Sequence, residues 1–404
     1  MDVFDVAVVG GGMVGASLAL GLAQTHWKIV LIEGVEPAAR AQPSFDERTT
    51  ALGNASRRIF QGLGVWDAIA AEAARIEAIH VSDAGRFGFA RLTAREQGVE
   101  AFGYVAANRV IGAALWAGLT REPRRVGLRV PARVQAVEAV EQHVELTLSS
   151  AGASERIAAR LVIAADGADS QVRGAAGIET HVKEYGQVAI VANVRADRTH
   201  DGTAYERFTS AGPMAFLPLR DGSYTVVWAR EPADAEATLE LDAAAFLSQL
   251  QRYFGWRVGR LVHAGPRASY PLRLTRAVAP IGRRTVLIGN AAQALHPVAG
   301  QGFNLGLRDA AMLAEVLASE DDDPGDARVL ARFAEERARD RRGVVAFTDG
   351  LVRLFGDRRL PVGLARNLGL LIFDLLPPAK SALARVSVGF GGRTPRLARG
   401  LSLQ

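Results

Sequence analysis

Along the chain the spacing of apolar residues switches between strand-like and helix-like periods, and each switch marks an element. Val6, Ala7, Val8 and Val9 form a continuous run of buried-strand length, after which Val14, Leu18 and Leu22 recur at helical spacing. Ile29 to Ile32 is a second apolar strand. Ile79 to Ser82 reads as a strand closed by the turn Asp83, Ala84, Gly85, and Asn108 to Ile111 opens a helix that Leu115 and Leu119 continue. Val144, Leu146 and Leu148 alternate with Glu145 and Thr147, the pattern of a half-buried meander. Leu161 to Ala165 and Thr285 to Gly289 are apolar runs again, and a helix is predicted from about Gly306 to Ser319. Between residues 186 and 272 strands dominate; Tyr224, Val226 and Trp228 alternate with Thr225 and Val227. Strands alternating with helices imply an α/β class with a parallel sheet, joined here to a separate strand-rich lobe.

The first strand runs directly into Gly10, Gly11, Gly12, Met13, Val14 and Gly15, which satisfies G-x-G-x-x-G between a strand and a helix. Gly10 permits the tight turn, Gly12 leaves room for a pyrophosphate, and Gly15 lets the helix pack closely on the sheet. The helix N-terminus offers unpaired amides and the positive end of its dipole. Glu33, at the end of the second strand, stands where a carboxylate accepts from ribose hydroxyls. An acid there favours an unphosphorylated ribose, so FAD or NAD; this stretch alone leaves both open.

Two further loops follow apolar strands. Asp166 and Gly167 end the run Leu161 to Ala165, where ligands of open α/β sheets bind. Gly289 and Asn290 begin a glycine-containing loop that leads through His296, Pro297, Gly300, Gly302, Phe303 and Asn304 into a helix. That loop suits an anionic or electron-rich group held by backbone amides. Arg48 is either a solvated loop charge or a ligand contact. The aromatic sheet face, with Phe208, Phe216 and Trp228, is plain core, the wall of an apolar pocket that also involves Pro297, or both at once. His296 is a candidate general base, or a residue that shapes the turn before Pro297.

Length changes this picture by allowing two or three lobes in 404 residues, 49% of them hydrophobic. The net charge of +5 comes without a lysine and arginine block, which excludes a nucleic-acid role and fits an anionic cofactor or lipid surface. The chain has no cysteine, which excludes disulfides, thiolate metal sites and flavin enzymes that work through a thiol pair. The scattered histidines give no metal site. The opening MDVFD lacks the basic region of a secretory signal, so a cytoplasmic location is expected. The apolar run Leu368 to Leu376, flanked by Arg366, Lys380 and Arg385, is too short to span a bilayer. It suits either a membrane surface on the inner face or packing against the other domains.

Taken together, Gly10 to Gly15 with Glu33, the run AADGADSQVR and the run GNAAQALHPVAGQGFNLGLRD resemble the single-component flavoprotein monooxygenases that hydroxylate aromatic rings. Within them the chain is most similar to the ubiquinone-biosynthesis hydroxylases, on the runs ERFTSAGPMAFLPL, FGWRVGRLVHAG and SYPL. The resemblance implies a Rossmann-like FAD-binding domain of the para-hydroxybenzoate hydroxylase type, formed by residues 1–78, 102–180 and 273–345. It implies an inserted mixed β-sheet substrate domain at 79–101 and 181–272 and a helical C-terminal region at 346–404. Gly10, Gly12, Gly15 and Glu33 would hold the ADP part of FAD, Arg48 and Arg109 would contact its phosphate and ribityl portion, and Met13, Val14 and Val134 are further cofactor-binding positions. Asp166, Gly167, Gly289 and Asn290 would also contact the cofactor, and Pro297, Gly300, Gly302, Phe303 and Asn304 would line the isoalloxazine edge. Asn290 stands where most members have an aspartate; its oxygen still accepts, without the charge. The implied chemistry is reduction of FAD by a visiting NAD(P)H, capture of O2 as a flavin C4a-hydroperoxide and hydroxylation of a prenylated phenol. Other ubiquinone-biosynthesis proteins are the implied partners. An epoxidase or prenyl reductase on the same frame, or a flavin-loaded non-catalytic member of a lipid-pathway assembly, are the competing readings.

Overall fold

The computed structural model describes residues 1–37, 42, 46–150, 152–209, 212–295, 300–356 and 393–403. Its centre is a parallel sheet in which Asp2–Val9 lies between Ala153–Ala164 and Ile29–Ile32, with Thr285–Leu287 and Val126–Arg129 further out. These strands carry continuous apolar runs because both their faces are covered. The helices Met13–Leu22, Asn108–Thr120 and Gln301–Ala318 pack on one face around Val6, Val8 and Leu31. The other face, with Ala7, Val9 and Val30, is covered by Val144, Leu146 and Leu148 of the antiparallel meander Arg133–Ala139, Val144–Ser150. The meander is half-buried, and its alternation in sequence follows from that.

A second sheet orders its strands as Gln293–Ala294, Leu261–Ala277, Thr180–Ala196, Tyr224–Arg230, Gly212–Pro218, Thr203–Thr209, Ala78–Asp83 and Phe89–Thr93. The helices Pro232–Glu240 and Ala243–Phe254 cover one face of it, burying Met214, Phe216, Val226 and Trp228. A small ladder of Thr49–Gly53, Gly103–Ala107 and Ala74–Ile76 bridges the two sheets. The long strands Thr180–Ala196 and Leu261–Ala277 carry the chain out to the second sheet and back. This second sheet also recruits Gln293–Ala294 from the returning segment, beyond the residue 272 at which the insertion is expected to close.

Two sequence expectations change. The helix expected from about Gly306 begins at Gln301, because the left-handed Gly300 (φ 60°) caps it one turn earlier. The helix Ala327–Gly356 runs through the expected boundary at 345/346, and the end of the chain is a short 3-10 turn at Leu397–Arg399. The apolar run Leu368 to Leu376 lies outside the described residues. Among the described residues no helix is long and apolar enough to cross a membrane.

The last two long helices are joined by buried charge. Asp309 is fully buried; Arg337 Nε donates to its Oδ1 at 2.7 Å, Gln293 Nε2 donates to Oδ2 at 2.8 Å, and Arg341 Nη2 lies 3.1 Å from Oδ2. Arg308 Nε donates to Asp340 Oδ2 at 2.8 Å, and Arg337 Nη2 is 2.6 Å from the same oxygen. Burial opposes the charge on Asp340, but Arg308 and Arg337 outweigh it, so its carboxyl sits below the ordinary range. Its stabilising effect is therefore complete above the usual carboxylate pKa, about 4, and is lost as pH falls through the lowered value. Replacing Asp309 with Ala strands buried guanidinium groups. We expect it to lower unfolding free energy by about 3–5 kcal/mol, read as a lower urea midpoint at neutral pH.

Candidate functional site

The glycine turn sits at the C-terminal edge of the parallel strands and is built by crowding. Gly10 has φ +100°, and a Cβ there would lie 2.4 Å from the Ala165 carbonyl oxygen; a Cβ on Gly15 would lie 1.9 Å from the Gly10 oxygen. Only glycine allows the first and third turn positions to come this close to Ala165 and to each other. Gly12 then caps the helix Met13–Leu22 without any side-chain cap, which leaves the first amides, those of Met13 and Val14 included, turned to the open edge. Glu33 lies beside the turn: Oε2 accepts from Gly11 N at 2.6 Å and Oε1 from Val35 N at 2.9 Å. Each oxygen keeps a lone pair for a further donor.

The other two loops arrive at the same edge. Ala165 N donates to Val9 O at 2.7 Å, so Asp166 and Gly167 start next to Gly10. Asp166 Oδ2 accepts from Val172 N at 3.3 Å, while Oδ1 is buried with no hydrogen-bond partner. Gly167 has φ +92° and opens onto free space. Gly289, φ +57°, packs on Val14, and Asn290 after it is exposed with no protein partner among the described residues. Three separate stretches thus present glycine backbone, an unpaired carboxylate oxygen and a free amide side chain around one helix N-terminus.

Several predicted residues take a different part. Asn304 is 4% exposed and its amide is fully engaged: Oδ1 accepts from Gly53 N (2.9 Å) and Ser56 Oγ (2.6 Å), and Nδ2 donates to the Ala51 and Gly300 oxygens, both at 2.8 Å. Its side chain braces the Gly300 turn against the bridging ladder instead of facing a ligand. The Phe303 ring turns inward toward Phe60, with centroids 6.2 Å apart, and Gly302 lies beside Leu295. The Val134 side chain is core, and the backbone that reaches Glu33 is that of Ala132, whose N–H donates to the Glu33 backbone oxygen at 2.8 Å. Arg48 is paired with Asp46 and stacks over the Tyr270 ring at 4.9 Å, and so joins the nucleotide end to the second sheet. Arg109 is half exposed and paired with Glu47 and Glu72. His296 and Pro297 lie outside the described residues.

The pocket wall also needs correction. Phe216 stacks on Phe254 at 3.8 Å and Trp228 packs against Tyr253 at 5.2 Å, both on the helix-covered face, because strand alternation sends them away from the nucleotide end. Phe208 lies on the opposite face, buried, beside Asp83. That opposite face carries a transverse row in register across neighbouring strands: Val191, Val227, Ala215, Glu206 and Val81. All five are partly accessible, whereas the helix-side residues next to Val191, Val227 and Ala215, namely Ile190, Ala192, Val226, Trp228, Met214 and Phe216, are buried. One flanking row, with Leu217, Ala204 and Ile79, packs on Ala51 of the bridging ladder, and Ala51 lies 3.3 Å from where a Gly300 Cβ would stand. On the other side Tyr270 lies under Arg48. The sequence offered one signal for this row, the period of two through ERFTSAGPMAFLPL, but not which parity faces the ligand. A cavity of about 460 Å³ lined by Leu239, Ala243, Pro266 and Arg267 lies between the helix pair and Leu261–Ala277; none of its lining residues belongs to the nucleotide end.

The family described as FAD binding domain matches residues 3–348. The chain belongs to this family. It is 39% identical over 407 residues to the ubiquinone hydroxylase UbiL of Rhodospirillum rubrum, which covers 99% of this chain and 94% of the relative. It is 34% identical to the 3-demethoxyubiquinol 3-hydroxylase of Escherichia coli, over 95% of this chain and 98% of the relative. In fold it matches p-nitrophenol 4-monooxygenase from Pseudomonas putida DLL-E4 with a TM-score of 0.81 at 19% identity, over 97% of this chain and 100% of the other.

FAD fits the residues of this family member. The cradle at Gly10 to Gly15 leaves no room for a Cβ at its tight points, Asp166 Oδ1 is a buried acceptor lacking a donor, and Asn290 is a free amide at the same edge. The helix N-terminus would take the pyrophosphate, Glu33 the ribose, and Asp166 and Asn290 the hydroxyls of the linking chain. Asp166→Ala should weaken FAD binding about tenfold or more in a flavin-fluorescence titration. Asn304→Ala should instead lower the stability of the FAD-free protein by about 1–3 kcal/mol, since it strands the Gly53 amide and the Ser56 hydroxyl.

Proposed function

We propose that the protein hydroxylates the ring of a polyprenylated phenol in ubiquinone biosynthesis, with 2-polyprenyl-6-methoxyphenol as the substrate type. It is an FAD-dependent aromatic hydroxylase, as family, relatives and fold agree. The observation that carries the substrate class is the row Val191, Val227, Ala215, Glu206 and Val81, an almost wholly apolar floor set beside the Gly300 turn. A flat ring lies on such a floor with little to hydrogen-bond and little water to compete. Bound FAD supplies electron transfer from NAD(P)H and activation of O2. The chain's own part is to hold the cofactor by the glycine turn and to keep the ring dry and oriented between the second sheet and the Asn304-braced turn.

Docking of the C-terminal region on the inner membrane face, close to other proteins of the pathway, extends this reading. Its support is the basic, apolar composition around Leu368 to Leu376, which suits an interface that delivers a prenyl tail.

The test is NAD(P)H oxidation by the FAD-loaded protein with and without a short-tailed 2-prenyl-6-methoxyphenol. We expect the phenol to stimulate oxidation and a product heavier by one oxygen atom. A reduced or epoxidised product would assign another flavin reaction, and bound FAD without stimulation would sink the hydroxylase reading.

A further inference from the structure

The floor of the row contains one group that does not belong on an apolar surface. Glu206 lies between Tyr205 and Arg207, which both face the helix pair: Tyr205 meets Phe254 at 5.6 Å, and Arg207 Nε donates to the Tyr253 oxygen at 3.0 Å. Alternation therefore sends the Glu206 side chain to the nucleotide-facing side, with Ala204, which packs in the cluster of Ala51. Its cross-strand neighbours are Ala215 and Val81. The carboxyl makes no hydrogen bond or ion pair among the described residues, yet it is surrounded by protein and keeps some accessible surface. A carboxyl left unpaired among apolar neighbours is costly, and a protein that keeps one at the wall of a ligand cleft has a use for it.

We propose that Glu206 is a catalytic residue that accepts the hydrogen bond, and then the proton, of the substrate's phenol hydroxyl. The inference rests on the hydroxylase reading above. The phenol O–H bond breaks and a new O–H bond forms on the carboxylate. The electron pair left on the phenol oxygen raises electron density at the ring carbons where oxygen is inserted. After insertion the ring hydrogen leaves to solvent as a proton, and the proton on Glu206 returns to the phenol oxygen. Among the described residues the row Val191, Val227, Ala215 and Val81 gives the ring no side-chain acceptor, so this carboxyl also fixes which ring edge points to the cofactor.

Burial pushes the Glu206 carboxyl up to about 7, and no neighbouring charge contributes. Among the described residues, three charged groups on or over this face are otherwise engaged. Asp83 is 3.8 Å from Arg86, Arg48 is paired with Asp46, and Asp349 of the last long helix is paired with Lys183 and Arg353. The ionised, accepting form of Glu206 is thus present only as pH rises through about 7. A phenol titrates near about 10, so between these values the pair carboxylate plus phenol is the bound state.

The experiment uses the full FAD-loaded protein and 2-methoxyphenol as probe, with binding followed by the change in flavin absorbance from about pH 6 to about pH 8.5. In the wild type, affinity should rise as pH passes about 7. Glu206→Gln keeps the shape and should lose that pH limb, while Glu206→Asp should keep it with weaker binding. FAD content, checked for each variant, should stay at the wild-type level. The kcat/KM of Glu206→Gln for the same phenol should fall about a hundredfold or more. A pH limb retained at wild-type affinity in Glu206→Gln would overturn the proposal and leave the hydroxylase reading standing. No pH dependence of binding in the wild type would likewise overturn the proposal, while the product test with a short-tailed 2-prenyl-6-methoxyphenol decides the hydroxylase reading separately.

Discussion

The buried carboxylate of Asp309 is the constraint on which the site's assembly depends. It lies midway along the helix Gln301–Ala318 that starts at the Gly300 turn, at 0% exposure, and is held by Arg337 and Arg341 from the following helix and by Gln293 from the second sheet. A buried charge is tolerated only when its partners are fixed, so these bonds dictate where three elements meet. Gln293 stands on the strand that pairs with Leu261–Ala277, so the second sheet, the helix Gln301–Ala318 and the helix Ala327–Gly356 are locked to one carboxyl. With its middle anchored there, the helix Gln301–Ala318 holds its first turn rigidly at the edge where the glycine turn lies.

At that first turn Asn304 completes the geometry. Four hydrogen bonds tie it to Ala51, Gly53, Ser56 and Gly300, so the Gly300 turn is positioned by the bridging ladder. The same ladder packs on the second sheet through Ala51, Leu217 and Ala204. The Gly300 turn and the row across the second sheet therefore share a support, which sets the distance between the proposed cofactor edge and the proposed substrate floor. Such shared rigid support is what a reaction between two bound partners needs, because loss of orientation by an ångström is expensive in rate.

The second sheet divides its labour by face. Aromatic residues on the helix side, Phe216, Tyr224, Trp228 and Phe254, supply packing, and burial raises the Tyr224 hydroxyl above its ordinary range. Small and aliphatic residues of the row Val191, Val227, Ala215 and Val81 on the nucleotide side leave space, and beside them stands the carboxyl of Glu206, which has no protein partner among the described residues. The stability of the sheet and the shape of the cleft are thus set by alternate residues of the same strands.

How far the sequence reaches can be seen residue by residue. The glycine turn, the acid at Glu33 and the strand ends at Asp166 and Gly289 were all legible, because each rests on local rules: a tight turn needs glycine, and a buried parallel strand is a continuous apolar run. Family and cofactor followed from the order of those motifs. The sequence could not tell which parity of ERFTSAGPMAFLPL faces the ligand, and so its aromatic residues, the natural guess for a pocket wall, turned out at Phe216 and Trp228 to be packing. Nor could it tell that Asn304 spends its amide on the ladder, or that Arg48 reaches Tyr270, since these partners lie more than 200 residues apart along the chain. Local composition determined the elements and the cofactor class. Which face of a strand meets which neighbour is a property of the tertiary packing, because alternation fixes only that two faces exist, and burial against a particular partner decides their roles.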